Sequence, residues 1–303
     1  MDSIAIDCKI FTLGPEGTNG HEAALCAKQM LNLGEQCTMS FCQSHQDILH
    51  LMDKAKVDFG IVAVENSTNG HVREVLNYWL PCVLNGHNPP PFKVVGEVEI
   101  PVKHCLMVKG DLTIAHLDGV ISHTHALGQC TEFINNNNLV QIPVHSTALA
   151  ARLIATNKGY SRYGAIASRL AAKLNNLAIL DDDITDNSLY GENITRFYIL
   201  GYKVPPKTGS DWTALLVQVP DESGAMNRIT NVISANGINM SAIQSISFGA
   251  LRKYAFYVEM EGHQSDRSVQ AALSSIANIT NDKFVVLGSF PKAQQTIQEI
   301  EHE

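Results

Sequence analysis

The chain has 303 residues, too many for one small domain and suited to about two. Apolar residues make up 45% and charged residues 17%, the balance of an ordinary soluble globular protein. The acidic excess, 30 Asp and Glu against 22 Lys and Arg, argues against a nucleic-acid or anionic-membrane surface, so an anionic ligand would need a local positive site.

Residues 1–7 carry no basic n-region and no long apolar stretch, so no signal peptide is expected. No apolar run approaches the roughly 20 residues of a membrane span. A cytoplasmic location follows as an expectation. The seven cysteines (8, 26, 37, 42, 82, 105 and 130) are odd in number, scattered, and never spaced C-x-x-C. That suggests neither a zinc site nor a disulfide framework, and the thiols are expected to be reduced and partly buried.

Residues 1–204 alternate short apolar runs with amphipathic patterns. Strands are predicted at 10–13, 59–64, 94–100, 104–108, 119–122, 142–145, 165–167 and 196–200, and helices at 21–31, 44–54, 126–135, 147–156 and 169–174. This alternation predicts βαβ units and a largely parallel sheet covered on both faces. Residues 205–210 read as a linker, because Pro205, Pro206 and Gly209 punctuate without packing. From 211 to 292 the order is strand, helix, strand, strand, helix, strand, the ferredoxin-like βαββαβ unit. A polar tail follows at 293–303.

Four segments carry candidate chemistry. Leu13-Gly14-Pro15-Glu16-Gly17-Thr18 turns tightly into a helix for which Thr18 is a fit N-cap. Glu65-Asn66-Ser67 follows an apolar strand, and Ser122-His123-Thr124-His125 follows another. The fourth, Asn193-Ile194-Thr195-Arg196-Phe197, puts a hydroxyl and a guanidinium on a run that otherwise reads as a buried strand. A buried arginine needs a partner. An anionic ligand would serve, and Glu65, Glu97 and Asp186 are candidate structural partners. Strand carboxyl ends in an open α/β sheet converge on a ligand crevice, where helix starts favour anions. Each segment alone also has a plain structural reading as a turn, a cap or a surface histidine.

Taken in order, GPEGT, VENS, SHTHALGQC and NITRF resemble the prephenate dehydratase family, whose members read GPEGTFS, P-IENS, SHPQALxQC and N-TRF. Gly96-Glu97, Ile100-Pro101, His104, Ser146-Thr147, Ala165-Ile166-Ala167-Ser168 and Asp186 fit as well. Gly224-Ala225, Gly237-Ile238-Asn239 and Leu287-Gly288-Ser289-Phe290-Pro291 resemble the ACT regulatory domain that follows in this family. The resemblance spans residues 10–291.

It implies a two-lobed catalytic domain like a type II periplasmic binding protein, with lobes of 10–102 plus 186–200 and of 105–183, and then the ACT domain. It also implies a lyase that converts prephenate to phenylpyruvate in phenylalanine biosynthesis without metal or organic cofactor. Thr195 would polarise the departing hydroxyl and Arg196 would hold a carboxylate. Thr18, Asn66, Ser67, Ser122, His123, Gln129 and Asn193 would surround the substrate. Glu65 would orient its neighbours or pair with Arg196. A homodimer or homotetramer is expected, with no nucleic-acid or membrane partner.

The chain departs from the family pattern in places. Asn19-Gly20 replaces Phe-Ser, Ala63 replaces the Pro of P-IENS, and Thr124 and His125 replace the Pro and Gln of SHPQA. The effector segments GALY and ESRP read Gly224-Ala225-Met226-Asn227 and Gln244-Ser245-Ile246-Ser247, so Gly224, Ala225, Gln244 and Ser245 form a degenerate effector site. A weak or absent response to phenylalanine follows. Two rival readings stay open: a decarboxylase that keeps the hydroxyl, which the presence of Thr195 disfavours, and a non-catalytic small-molecule sensor on the same fold.

Overall fold

The computed structural model describes residues 8–186 and 191–293. Residues 1–7, and 294–303 of the expected tail, lie outside the described residues. The first lobe is built from β1 (Cys8–Leu13), α1 (Asn19–Met30), β2 (Cys37–Cys42), α2 (His45–Asp53), β3 (Phe59–Asn66), β4 (Gly70–His71), α3 (Arg73–Leu76), α4 (Leu80–Asn85) and β5 (Lys93–Pro101). The chain then crosses into a second lobe. There β6 (Cys105–Val108), β7 (Gly119–His123), α5 (Thr124–Gly128), α6 (Thr131–Asn136), β8 (Val140–Val144), α7 (Thr147–Thr156), β9 (Tyr163–Ala167), α8 (Arg169–Leu174) and β10 (Ala178–Asp181) follow. It returns as β11 (Ile194–Gly201).

The first sheet has the order β2-β1-β3-β11-β5, with β4 on β3, and the second has the order β10-β6-β9-β7-β8. Neither is largely parallel, which corrects the expectation. β11 runs antiparallel to both β3 and β5, and β6 runs antiparallel to β9 and β10. The chain leaves the first lobe at the end of β5 and re-enters it at that same edge, so its returning strand must run backwards between β3 and β5. Three strands, β2, the two-residue β4 and β10, fall where no strand was predicted.

The predicted helix at 126–135 is broken. The carboxylate of Asp186 accepts the N–H groups of Thr131 (2.8 Å) and Glu132 (2.9 Å), while the Asp186 N–H donates to Gln129 O (2.7 Å). A residue far along the chain therefore satisfies the start of α6, where a single helix would have satisfied it internally.

The cysteine expectation also changes. β1 and β2 pair with Cys8 opposite Cys37, and the two are joined as a disulfide. A separation of 29 residues hides that adjacency from the spacing. The Gly14-Pro15 peptide is cis. Among the described residues no helix is long and apolar enough to cross a membrane.

The C-terminal domain comprises β12 (Asp211–Val217), α9 (Ala225–Ala235), β13 (Met240–Ser247), β14 (Tyr254–Glu261), α10 (Arg267–Thr280) and β15 (Phe284–Pro291), in the sheet order β13-β14-β12-β15. Its helices cover one face through Leu215, Val217, Ile229, Ile233, Val258 and Ile276. Its other face shares a core with the first lobe, in which Trp79, Phe92, Val94 and Leu200 meet Leu216, Tyr257, Leu287 and Phe290. At Gly288 a Cβ would lie 2.0 Å from Val94 O, so β15 approaches β5 as only glycine permits. The segment at 205–210 is fastened rather than loose. The Asp211 carboxylate accepts the N–H groups of Thr208 (2.9 Å) and Gly209 (3.0 Å), and His263 Nε2 lies 3.1 Å from Pro205 O.

Candidate active site

The carboxyl edges of the two lobe sheets face each other. β1, which ends at Leu13, runs parallel to β3, which ends at Asn66. Across the gap β7, β8 and β9 are parallel and end beside the N-caps of α5, α7 and α8, namely His123, Ser146 and Ser168. Thr18 caps α1, its Oγ1 accepting the His21 N–H at 3.4 Å. Just before it, Gly17 (φ 89°) lies so close to the other lobe that a Cβ would sit 3.3 Å from Ala171 Cα. Ser168 Oγ donates to Gly17 O at 3.0 Å, which bridges the two edges.

Beside this bridge a polar cluster forms. Because β11 is antiparallel to β3, its start lies next to the end of β3, with Thr195 opposite Asn66. Asn66 Nδ2 donates to Asn193 Oδ1 (2.7 Å), Thr195 Oγ1 (2.9 Å) and Ile194 O (3.3 Å). Its Oδ1 accepts the N–H groups of Thr68 (3.1 Å) and Asn69 (3.0 Å). Ser67 Oγ donates to Glu192 O and accepts the Ile194 N–H, both at 3.0 Å. From the second lobe, Gln129 Oε1 lies 2.7 Å from His104 Nε2 and 3.4 Å from Asn193 Nδ2. Burial lowers the His104 pKa, so the ring is neutral and Nε2–H is the donor that orients the Gln129 amide. Asn66, Ser67, Gln129, Asn193 and Thr195 are thus one group drawn from both lobes. His104 joins them, a residue that sequence matching marked without giving it a task.

Other expected members stand apart. Ser122 is fully buried and its Oγ donates to Ile166 O at 2.6 Å, so it braces β7 against β9 and does not face a ligand. His123 is half-buried at the rim, its Nδ1 accepting the His125 N–H at 3.2 Å, with the two rings 5.3 Å apart. Burial lowers its pKa, and the neighbouring His125 and His145 lower it further.

Arg196 is the main correction. Successive residues of a strand face opposite ways, so with Thr195 in the polar cluster, Arg196 points to the other side. There Nη1 lies 2.8 Å from Glu259 Oε1 and 3.3 Å from Glu97 Oε2, and Nη2 lies 3.0 Å from Glu65 Oε2. The hydroxyls of Tyr198 and Tyr257 lie against each other and against Glu259 Oε2, at 3.0 and 2.7 Å from it. Its side chain is 12% exposed, and those of Glu97 and Glu259 are 2% exposed. Arg196 therefore neutralises buried carboxylates between the first lobe and the C-terminal sheet and is not a cleft cation. Glu65 pairs with it as expected. Glu259 went unnoticed because nothing local links β14 to β11.

Three carboxylates around one guanidinium cannot all be charged cheaply. Burial pushes the Glu97 carboxyl up to about 7, against the pull of Arg196. Burial also works to raise Glu259, but Arg196 and the hydrogen bonds from both tyrosines outweigh it and hold that carboxyl below its ordinary range. Glu97 thus keeps its proton in the folded state where the unfolded chain has lost it. Its stabilising contribution is full below about 4.5 and is lost as pH rises through about 7. Glu97→Gln removes that slope. Urea midpoints of the variant should gain on the native protein as pH rises across this window. A difference constant with pH would refute the assignment.

The degenerate effector residues are split. Gly224 and Ala225 start α9 and line a C-terminal cavity of about 520 Å³ with Phe248, Arg252, Tyr254 and Lys283. Gln244 and Ser245 lie on the edge strand β13, where Gln244 Nε2 donates to Ser245 O at 3.0 Å. Among the described residues, no group of three or more His, Cys, Asp or Glu side chains is placed to hold a metal ion.

Comparison with known proteins matches residues 10–205 to the family described as Prephenate dehydratase and residues 213–278 to the ACT domain. The chain is 34% identical over 289 residues to a bifunctional chorismate mutase/prephenate dehydratase of Aquifex aeolicus, covering 94% of this chain and 74% of that protein. Among solved structures it resembles the Arthrobacter aurescens prephenate dehydratase in complex with L-Phe, with TM-score 0.79, 25% identity, and 95% and 91% of the two chains covered. It equally resembles GqqA, described as a quorum-quenching acylase, with TM-score 0.79, 26% identity, and 94% and 98% covered.

Proposed function

The chain belongs to the prephenate dehydratase family, and from that premise we propose that it is a lyase converting prephenate to phenylpyruvate, carbon dioxide and water. The observation that carries the reading is the Thr195–Asn66–Asn193–Gln129 cluster at the meeting of the two carboxyl edges.

In the reaction the carbon–carbon bond to the ring carboxylate breaks and its electrons move through the diene. The ring carbon–oxygen bond breaks at the far end, and the departing oxygen takes a proton to leave as water. One proton is consumed overall, and aromatisation of the ring drives the step. Hydroxide is a poor leaving group, so the proton must be delivered as the bond breaks. Thr195 Oγ1 accepts from Asn66 Nδ2, which leaves its own proton to be aimed at the leaving oxygen. The ring carboxylate needs weak contacts, because strong stabilisation of its charge opposes loss of carbon dioxide.

With Arg196 engaged elsewhere, the side-chain carboxylate is left to the helix starts at the facing edges, the long helix α1 capped by Thr18 among them. The altered effector segments favour an enzyme whose turnover phenylalanine does not suppress.

Purified protein given prephenate should yield phenylpyruvate, identified by its aromatic ultraviolet spectrum, at a rate that added phenylalanine leaves unchanged. A non-aromatic product would favour the decarboxylase reading. Unconsumed prephenate would leave the sensor reading.

A further inference from the structure

The C-terminal sheet places one side chain behind the strand that carries Thr195. β11 is irregular at its start: its register against β3 shifts between Arg196 and Phe197. The ladder to β5 is regular from Ile194 to Ile199, so it is on the β3 side that the backbone holds the opening residues loosely. On that side they are fixed by a pair of clamps on opposite faces of the same two strands. On the cleft face Asn66 grips Thr195 and Asn193. On the other face Glu65, the residue before Asn66, grips Arg196, the residue after Thr195.

The second clamp is completed from outside the lobe. Glu259 of β14 meets Arg196 Nη1 with both oxygens, at 2.8 and 3.0 Å. Glu259 is itself held by Tyr257 (2.7 Å), Tyr198 (3.0 Å) and Ser241 Oγ (3.0 Å). Its backbone belongs to a sheet locked to the first lobe by a shared apolar core.

We propose that Glu259 is a positioning residue for Thr195, acting through Arg196, so that the C-terminal domain is a working part of the active site. The proposal rests on the reading of Thr195 as the group that serves the leaving hydroxyl. It also gives displacement of the C-terminal sheet a physical route to the chemistry, because moving Glu259 by a fraction of its hydrogen-bond length releases the strand start. A misplacement of about 1 Å is worth as much as 10²-fold in rate.

The test compares full-length Glu259→Gln and Tyr257→Phe with the native protein. Glu259→Gln keeps the shape and removes the charge, while Tyr257→Phe removes one hydroxyl that holds the carboxylate. The expected result for Glu259→Gln is a fall in kcat of about tenfold or more, with KM held within about threefold. Amide hydrogen exchange should quicken in the peptide spanning Ile194 to Phe197 and stay native in α7. Tyr257→Phe should show the same pattern more weakly.

Native kcat together with native exchange in a folded Glu259→Gln protein would overturn the proposal. If that variant fails to fold, unchanged exchange at 194–197 in Tyr257→Phe would overturn it instead. Exchange is read without turnover. If the native protein does not consume prephenate, the functional reading fails while the positioning claim is still decided.

Discussion

Arg196→Met is expected to destabilise the fold by about 3–5 kcal/mol, the cost of breaking a buried ion pair from one side. The methionine fills much of the volume of the arginine stem, so the loss comes from charge rather than from a cavity. Glu97 and Glu259 are almost wholly buried and Glu65 is half-buried. Without the guanidinium, their desolvation is no longer offset.

The deficit should shrink as pH falls. In the variant these carboxyls rise in pKa, the folded state takes up protons that the unfolded chain does not, and stability returns toward acid pH. Urea unfolding at two pH values measures both effects. The triple variant Arg196→Met, Glu97→Gln, Glu259→Gln should recover much of the loss, because replacing a whole buried charge group costs far less than breaking it. A change below about 1 kcal/mol in the single variant would show that the group is hydrated and that this account of it is wrong.

Thr195→Val should lower kcat for prephenate by about 10² to 10⁴, the usual worth of a positioned proton donor, while leaving stability nearly unchanged. Valine keeps the branched shape that suits a strand. Asn66 Nδ2 does not become an orphaned donor, because Asn193 Oδ1 (2.7 Å) and Ile194 O (3.3 Å) remain as acceptors. The two variants therefore divide the adjacent residues cleanly: Arg196 moves the denaturation curve, and Thr195 moves the rate. Product analysis of the slow variant adds a check, since release of carbon dioxide without loss of the hydroxyl would give a non-aromatic compound. Turnover by Thr195→Val within threefold of native would remove the hydroxyl from the mechanism.

Much of the fold was legible because its signals are local. The N-caps Thr18, Ser44, Ser146 and Ser168 each stand where a helix begins. The apolar runs of β3, β5 and β11 mark strands buried on both faces. The cluster around Thr195 was legible too, since three of the four ordered motifs supply its members Asn66, Ser67, Gln129, Asn193 and Thr195.

What escaped was set by distance along the chain. Asp186 caps α6 across more than fifty residues. Glu259 reaches Arg196 from 63 residues away. Ser122 looked like a ligand-facing hydroxyl, and only the neighbouring strand β9 turns it inward. The misassignment of Arg196 has the same origin. Its residue type demanded a negative partner, and the choice between a ligand and the protein's own carboxylates depended on a sheet that the motif meets only in the folded chain.

The two segments that join the lobes leave the first lobe side by side. β5 ends and β11 begins as neighbours, with Ile194 opposite Pro101 and the Val102 N–H donating to Asn193 O at 2.7 Å. Such a double strap bends readily in one direction and resists twisting, so the lobes are constrained to swing apart about a single axis through this pair. A swing about that axis would move Asn193 and Thr195 little and would carry apart Gly17 and Ser168, which follow β1 and β9. Such a swing would open the molecule like a book from the Gly17 side, with the Thr195 hydroxyl held at the spine.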